Sequence, residues 1–131
     1  MNKVVHFEIP ANDVDMAQKF YKDLFGWDIQ KAGEMPYWTI KTVETDEKMM
    51  PKEVGAINGG MLQRDEQKDP TGSKPVIVIS VSNVEEHCKK VEQAGGKVVL
   101  PIMKVGDMGM YARVQDTEKN IIGLWQDLKH H

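Results

Sequence analysis

Gly26 and Gly96 stand seventy residues apart, and each closes a stretch that reads as an amphipathic helix. The helix starts keep the same distance: Asn12-Asp13-Val14 falls on Ser82-Asn83-Val84. A strand-like run precedes each helix, "KVVHFEIP" in the first copy and "VIVISV" in the second. Three short strand-like runs follow each: "WDIQKA", "YWTIKTVE" and "GAINGGMLQ", then "KVVLPIMKV", "MYARVQD" and "NIIGLWQ". Two copies at so long a period do not make a solenoid. They predict two similar modules, each strand–helix–strand–strand–strand, in one chain of domain size.

Both helices carry their own start and stop signals. The first has Asn12 or Asp13 as cap, with the acids Asp13 and Asp15 at its positive end. Its apolar positions Val14, Ala17, Phe20, Tyr21, Leu24 and Phe25 have helical spacing. The second is expected to open on a capping box of Ser82 and Glu85 and to stop at Gly95-Gly96. Module one covers about residues 1–63, a connector "RDEQKDPTGSKP" covers 64–75 and module two covers about 76–127, within a single domain over 1–129. The connector is charged, holds Pro and Gly and lacks an apolar period.

Composition removes several classes of function. A formal charge of −3 supplies no basic field for nucleic acid or an anionic membrane. The longest apolar runs are strand-length, too short for a bilayer. No signal peptide is visible before Glu8, and the single cysteine, Cys88, allows neither an intrachain disulfide nor a thiolate cluster. A reduced, cytoplasmic setting is expected. Cys88 falls on the apolar face of the second helix, as a small core residue, and its neighbour His87 faces elsewhere. The closing His130-His131 are native or appended residues and are kept out of the chemistry.

Three segments give the chain a family likeness: "HFEIPANDVDMAQKFYKDLFGW", "VSNVEEHCKKVEQAGGKV" and "YARVQDTEKNIIGLWQ". The chain resembles the vicinal oxygen chelate superfamily, which includes glyoxalase I, bleomycin-resistance proteins and extradiol dioxygenases. It is most similar to the glyoxalase-like subgroup of unassigned activity. The resemblance implies an α+β fold of two βαβββ modules forming curled mixed sheets round a cleft, and it implies a homodimer. One departure is visible. Where the family often has Asp-Pro-x-Gly-Asn before the last strand, this chain has Asp116-Thr117-Glu118-Lys119-Asn120, so Lys119 replaces a residue suited to positive φ.

The resemblance also implies where a divalent ion would sit: one ligand from the first strand and one from the last strand of each module. Carried onto this sequence, those positions are His6, Gly60, Val76 and Gly123. One donor of four remains, so no metal and no other cofactor is expected. His6 and Glu8 share a strand face about 7 Å apart by the strand rise and are the candidates for acid–base work. Aromatic and polar positions expected to line the cleft and bind its ligand are His6, Tyr37 or Trp38, Asn58, Tyr111, Arg113 and Trp125. Loss of side chains at Gly60 and Gly123 is expected to leave space beside an aromatic wall. The leading expectation is a metal-free protein binding an apolar or aromatic small molecule. The alternatives are a lyase- or isomerase-type enzyme using His6 or Glu8, or a degenerate module serving a protein partner.

Overall fold

The computed structural model describes residues 1–128 of the 131; His130 and His131 lie outside the described residues. The chain forms two compact units. One comprises His6–Pro75; the other comprises Met1–Val5 with the segment from Val76 onward. The division falls inside the first strand, β1 (Val4–Ala11).

In the first module, α1 (Val14–Phe25) follows β1, and then come β2 (Asp28–Lys31), β3 (Tyr37–Lys41) and β4 (Gly59–Gln63). The strand order is β2-β3-β4-β1, with β1 parallel to β4 and the other pairs antiparallel. Asp13 is the α1 cap: its carboxylate accepts from the Met16 backbone N–H at 3.0 Å, satisfying a donor that the first helical turn leaves unpaired. Gly26 closes the helix with φ of 70°, a left-handed conformation that glycine takes without strain. The core lies between sheet and helix: Ala11, Val14, Ile29, Ile40 and Met61, with Phe7, Ile9, Ala17, Tyr21, Trp27 and Trp38 against them.

The second module repeats the plan with β5 (Val76–Ser80), α2 (Val84–Gln93), β6 (Lys97–Val105), β7 (Gly109–Gln115) and β8 (Ile121–Asp127). Its order is β5-β8-β7-β6, with β5 parallel to β8. The cap of α2 is Asn83, which accepts from Glu86 N–H at 3.1 Å, so the Ser82–Glu85 capping box is not formed. The side chain one residue closer to the helix reaches the free amide first. Pro101 sits in the edge strand β6 within the register shift between Leu100 and Met103, where a missing N–H is tolerated. Cys88 is buried among Val81, Val84, Ala112, Val114 and Leu124, as expected of a small core residue. Burial pushes its thiol pKa up, and the nearby Glu92 charge adds to this, so it is not a poised nucleophile.

The fold is therefore α+β, built of two βαβββ modules. No helix among the described residues is long and apolar enough to cross a membrane.

The strand registers give the internal repeat a physical meaning. Glu8 pairs with Gly60 in the first module, and Val78 pairs with Gly123 in the second. Glu8 thus corresponds to Val78, and His6, two residues earlier, to Val76.

The turn before β8 is held by Asp116, whose side chain bonds its own backbone ahead. Asp116 accepts from the backbone N–H of Glu118 at 2.8 Å and of Asn120 at 2.9 Å. Those bonds hold its carboxyl below the usual carboxylate range. Lys119 is at φ 67°, a left-handed residue with a Cβ. Lys119→Gly is expected to raise stability by about 1 kcal/mol, the cost of that conformation, less glycine's greater unfolded-state entropy. Urea denaturation of the two proteins measures it.

Candidate functional site

The two-residue strand period sorts the side chains onto two faces. In the first module the helix side takes Phe7, Ile9, Trp38, Ile40 and Met61. The face turned away from α1 takes His6, Glu8, Tyr37, Thr39 and Gly60. In the second module Ala112, Val114 and Leu124 face α2. The opposite face carries Val76, Val78, Tyr111, Arg113, Gly123 and Trp125.

On each helix-free face a tyrosine lies over a glycine. Gly60 pairs with Thr39, and Tyr37, two residues before Thr39, reaches diagonally across. Its hydroxyl occupies the place where a Gly60 side chain would begin. Gly123 pairs with Arg113, and Tyr111, two residues before it, makes the same diagonal. A Cβ on Gly123 would lie 2.8 Å from the Tyr111 hydroxyl and 3.0 Å from a Val78 methyl. The same device recurs further along β8, where the Trp125 ring covers Gly109. The expected space beside Gly60 and Gly123 is therefore filled, because the missing side chains let the tyrosines fold down onto the backbone.

The tyrosines have different partners. The Tyr37 hydroxyl shares a hydrogen bond with His6 Nε2 at 2.9 Å. Burial lowers the His6 pKa below its usual 6.5, against the opposing pull of the Glu8 charge, so the imidazole is neutral near pH 7. Glu8 itself is buried. In the second module Arg113 Nε donates to the Tyr111 hydroxyl at 3.0 Å, and the guanidinium lies 5.6 Å from the centre of the Tyr111 ring. Arg113 is only 4% exposed, and its charge is desolvated together with that ring.

Two expected lining residues are placed elsewhere. Trp38 is on the helix side, packed into the core with Lys31 over its ring, because Tyr37 takes the other face of β3. Asn58 lies just before β4, and its side chain is spent on local structure: it accepts from Thr42 N–H at 2.7 Å and Val43 N–H at 3.1 Å and donates to Val43 O at 3.2 Å. Sequence reasoning missed Thr39 and Gly109, which complete these faces; the signal was available as a Tyr-x-Thr or Tyr-x-Arg strand paired with a glycine strand. Two surface hollows are lined by residues between Lys41 and Glu53, one of them also by Gly26 and Asp28.

The four positions do not fit a divalent ion. Valine and glycine occupy three of them, and aromatic hydroxyls stand over both glycines. Among the described residues no three His, Cys, Asp or Glu side chains are grouped to hold a metal.

This arrangement of paired modules defines a superfamily. The chain belongs to the Glyoxalase/Bleomycin resistance protein/Dioxygenase superfamily, whose family model matches residues 3–124. It is 30% identical over 116 residues to a "Glyoxylase-like domain-containing protein" of Didymella fabae, covering 86% of this chain and 84% of that protein. It is 28% identical over 130 residues to the "Putative glyoxylase CFP32" of Mycobacterium tuberculosis, covering 94% of this chain but only 45% of that longer protein. Among solved structures, methylmalonyl-CoA epimerase from Streptomyces coelicolor has the same fold, with a TM-score of 0.65, 14% identity and coverage of 97% and 98% of the two chains. So does a protein of Bacillus halodurans, with a TM-score of 0.65, 12% identity and coverage of 99% and 97%.

Two outcomes follow from the geometry. Gly60→Ala forces its new methyl against the end of the Tyr37 ring and is expected to cost about 1–3 kcal/mol, as overpacking does, readable by chemical denaturation. The lowered His6 pKa means that the unfolded chain binds the imidazole proton more readily. Stability should therefore fall as pH drops through about 6.5 and level off below the folded-state value. His6→Gln is expected to flatten that part of the stability–pH curve, leaving only the carboxylate contribution.

Proposed function

We propose that this chain binds a flat apolar or aromatic small molecule, without a resident divalent ion, on the helix-free face of its second module. The observation that carries this reading is that tyrosine hydroxyls lie over Gly60 and Gly123, positions where the family resemblance implies metal ligands. Trp125 and Tyr111 offer apolar area at small entropic cost. Membership of a superfamily named in part for bleomycin resistance supports a binding role. A reduced cytoplasmic setting suits the lone buried thiol.

A second reading is favoured by His6. A neutral imidazole, hydrogen-bonded to Tyr37 and near a buried carboxylate, is the state in which histidine accepts a proton. Solved structures of the same fold include methylmalonyl-CoA epimerases. On this reading the chain is a lyase- or isomerase-type enzyme with His6 or Glu8 as base.

Tryptophan fluorescence separates the two. Trp27 and Trp38 pack in the α1-side core, which leaves Trp125 as the reporter on the proposed face. Titration with the aromatic anion anilinonaphthalene sulfonate is expected to quench the emission, and Trp125→Phe to remove most of the quenching. Quenching that survives Trp125→Phe would count against this face. Added Zn²⁺, Ni²⁺ or Mn²⁺ is expected to leave the melting temperature unchanged, whereas a bound ion would raise it by mass action. Deuterium uptake from D₂O into the α-carbon of an acyl thioester, abolished by His6→Gln, would favour the second reading.

A further inference from the structure

We infer that Asn58-Gly59 is a self-modifying junction held shut by the fold: it deamidates when the start of β4 opens, and the altered chain cannot close in the same way again. Of the five asparagines, at positions 2, 12, 58, 83 and 120, this is the one followed by glycine. Glycine has no side chain to shield its backbone nitrogen, and it lets the chain bend back onto the asparagine amide. In the reaction that nitrogen attacks Asn58 Cγ and gives up its proton. The bond from Cγ to the side-chain nitrogen breaks, and ammonia leaves. Water then opens the cyclic imide at either carbonyl, giving aspartate or isoaspartate. Water is the one co-reactant, and nothing is oxidised or reduced.

Packing demands both residues. A Cβ on Gly59 would lie 2.5 Å from the Phe7 carbonyl oxygen and 2.7 Å from the Phe7 ring, so β1 leaves room there for glycine alone. The Asn58 side chain is a clasp across the long connection between β3 and β4. Its Oδ1 accepts from Thr42 N–H at 2.7 Å and Val43 N–H at 3.1 Å, and its Nδ2 donates to Val43 O at 3.2 Å. This needs an acceptor and a donor on one short side chain, which is what a carboxamide offers. The Thr42 hydroxyl donates to Ile57 O at 2.7 Å and so ties down the residue before the clasp. Two separate structural requirements thus set a chemically labile dipeptide at the start of β4.

The same bonds restrain the chemistry. Attack requires the amide to turn away from its three backbone partners. It also requires Gly59, paired with Ile40, to leave the strand ladder. Reaction therefore waits on a local opening, and its rate follows the open fraction. Closure after reaction is impaired. An aspartate at position 58 keeps the oxygen that faces Thr42 and Val43 but sets its second oxygen against Val43 O, acceptor against acceptor. An isoaspartate adds a methylene to the main chain ahead of Gly59, which moves Gly60 out of its register beneath Tyr37.

Peptide mapping by mass spectrometry tests this on the full chain, incubated in mildly alkaline buffer with and without urea. Conversion of residue 58 to both acids is expected in urea. Without urea it is expected to be slower by about tenfold or more, since it awaits opening. Thr42→Val, which removes the hydroxyl bond to Ile57, is expected to speed conversion of the folded chain and to leave the rate in urea unchanged. Asn58→Asp is expected to lower the urea midpoint of unfolding. A folded chain that converts as fast as the chain in urea overturns the restraint, and absence of conversion in urea overturns the chemistry. A folded-state rate indifferent to Thr42→Val overturns the role of the clasp. An Asn58→Asp chain with an unchanged midpoint overturns the impaired closure.

Discussion

Close approach of a tyrosine hydroxyl to a glycine backbone organises the helix-free face of each module. At Gly60 and Gly123 a side chain of any size would meet the end of a ring. Tyr37 and Tyr111 therefore lie down across their neighbouring strands, and the polar residues around them take up positions relative to the hydroxyls. His6 meets one, and Arg113 meets the other. The diagonal geometry is the same in both modules because the pairings Thr39 with Gly60 and Arg113 with Gly123 have the same register.

The two faces nevertheless differ in electrostatics. In the first module a neutral imidazole and a buried carboxylate accompany the tyrosine. In the second, valines stand where those groups would be, and a buried guanidinium pairs with the ring. The repeated backbone thus carries a neutral histidine and a buried carboxylate on one face and a buried guanidinium on the other. Burial makes each choice consequential. Desolvation drives the histidine to its neutral form, whereas an arginine keeps its charge and must be held by partners.

A good part of this was legible in the residues. The seventy-residue spacing and the helix punctuation located both helices and the strands around them. Alternation along β8 placed Gly123 and Trp125 on one face. Other features were not legible. Helical spacing grouped Phe20, Leu24 and Phe25 with Val14 and Tyr21, yet the first three are exposed, because the sheet covers only part of the helix circumference. The adjacent pair Tyr37-Trp38 left open which ring faced away from the helix; the register of β3 against β4 decided it. Asn58 looked like a lining residue by alternation, but the strand begins one residue later and its amide holds Thr42 and Val43.

The amino-acid sequence by itself determined the two-module plan, because a seventy-residue repeat fixes the order of the elements, and it determined that glycine and valine stand at Gly60, Val76 and Gly123, where the family resemblance implies metal ligands. Tertiary structure alone decided what covers Gly60 and Gly123. Strand register and burial depth are set by long-range pairing, and only that pairing brings Tyr37 over Gly60 and Tyr111 over Gly123.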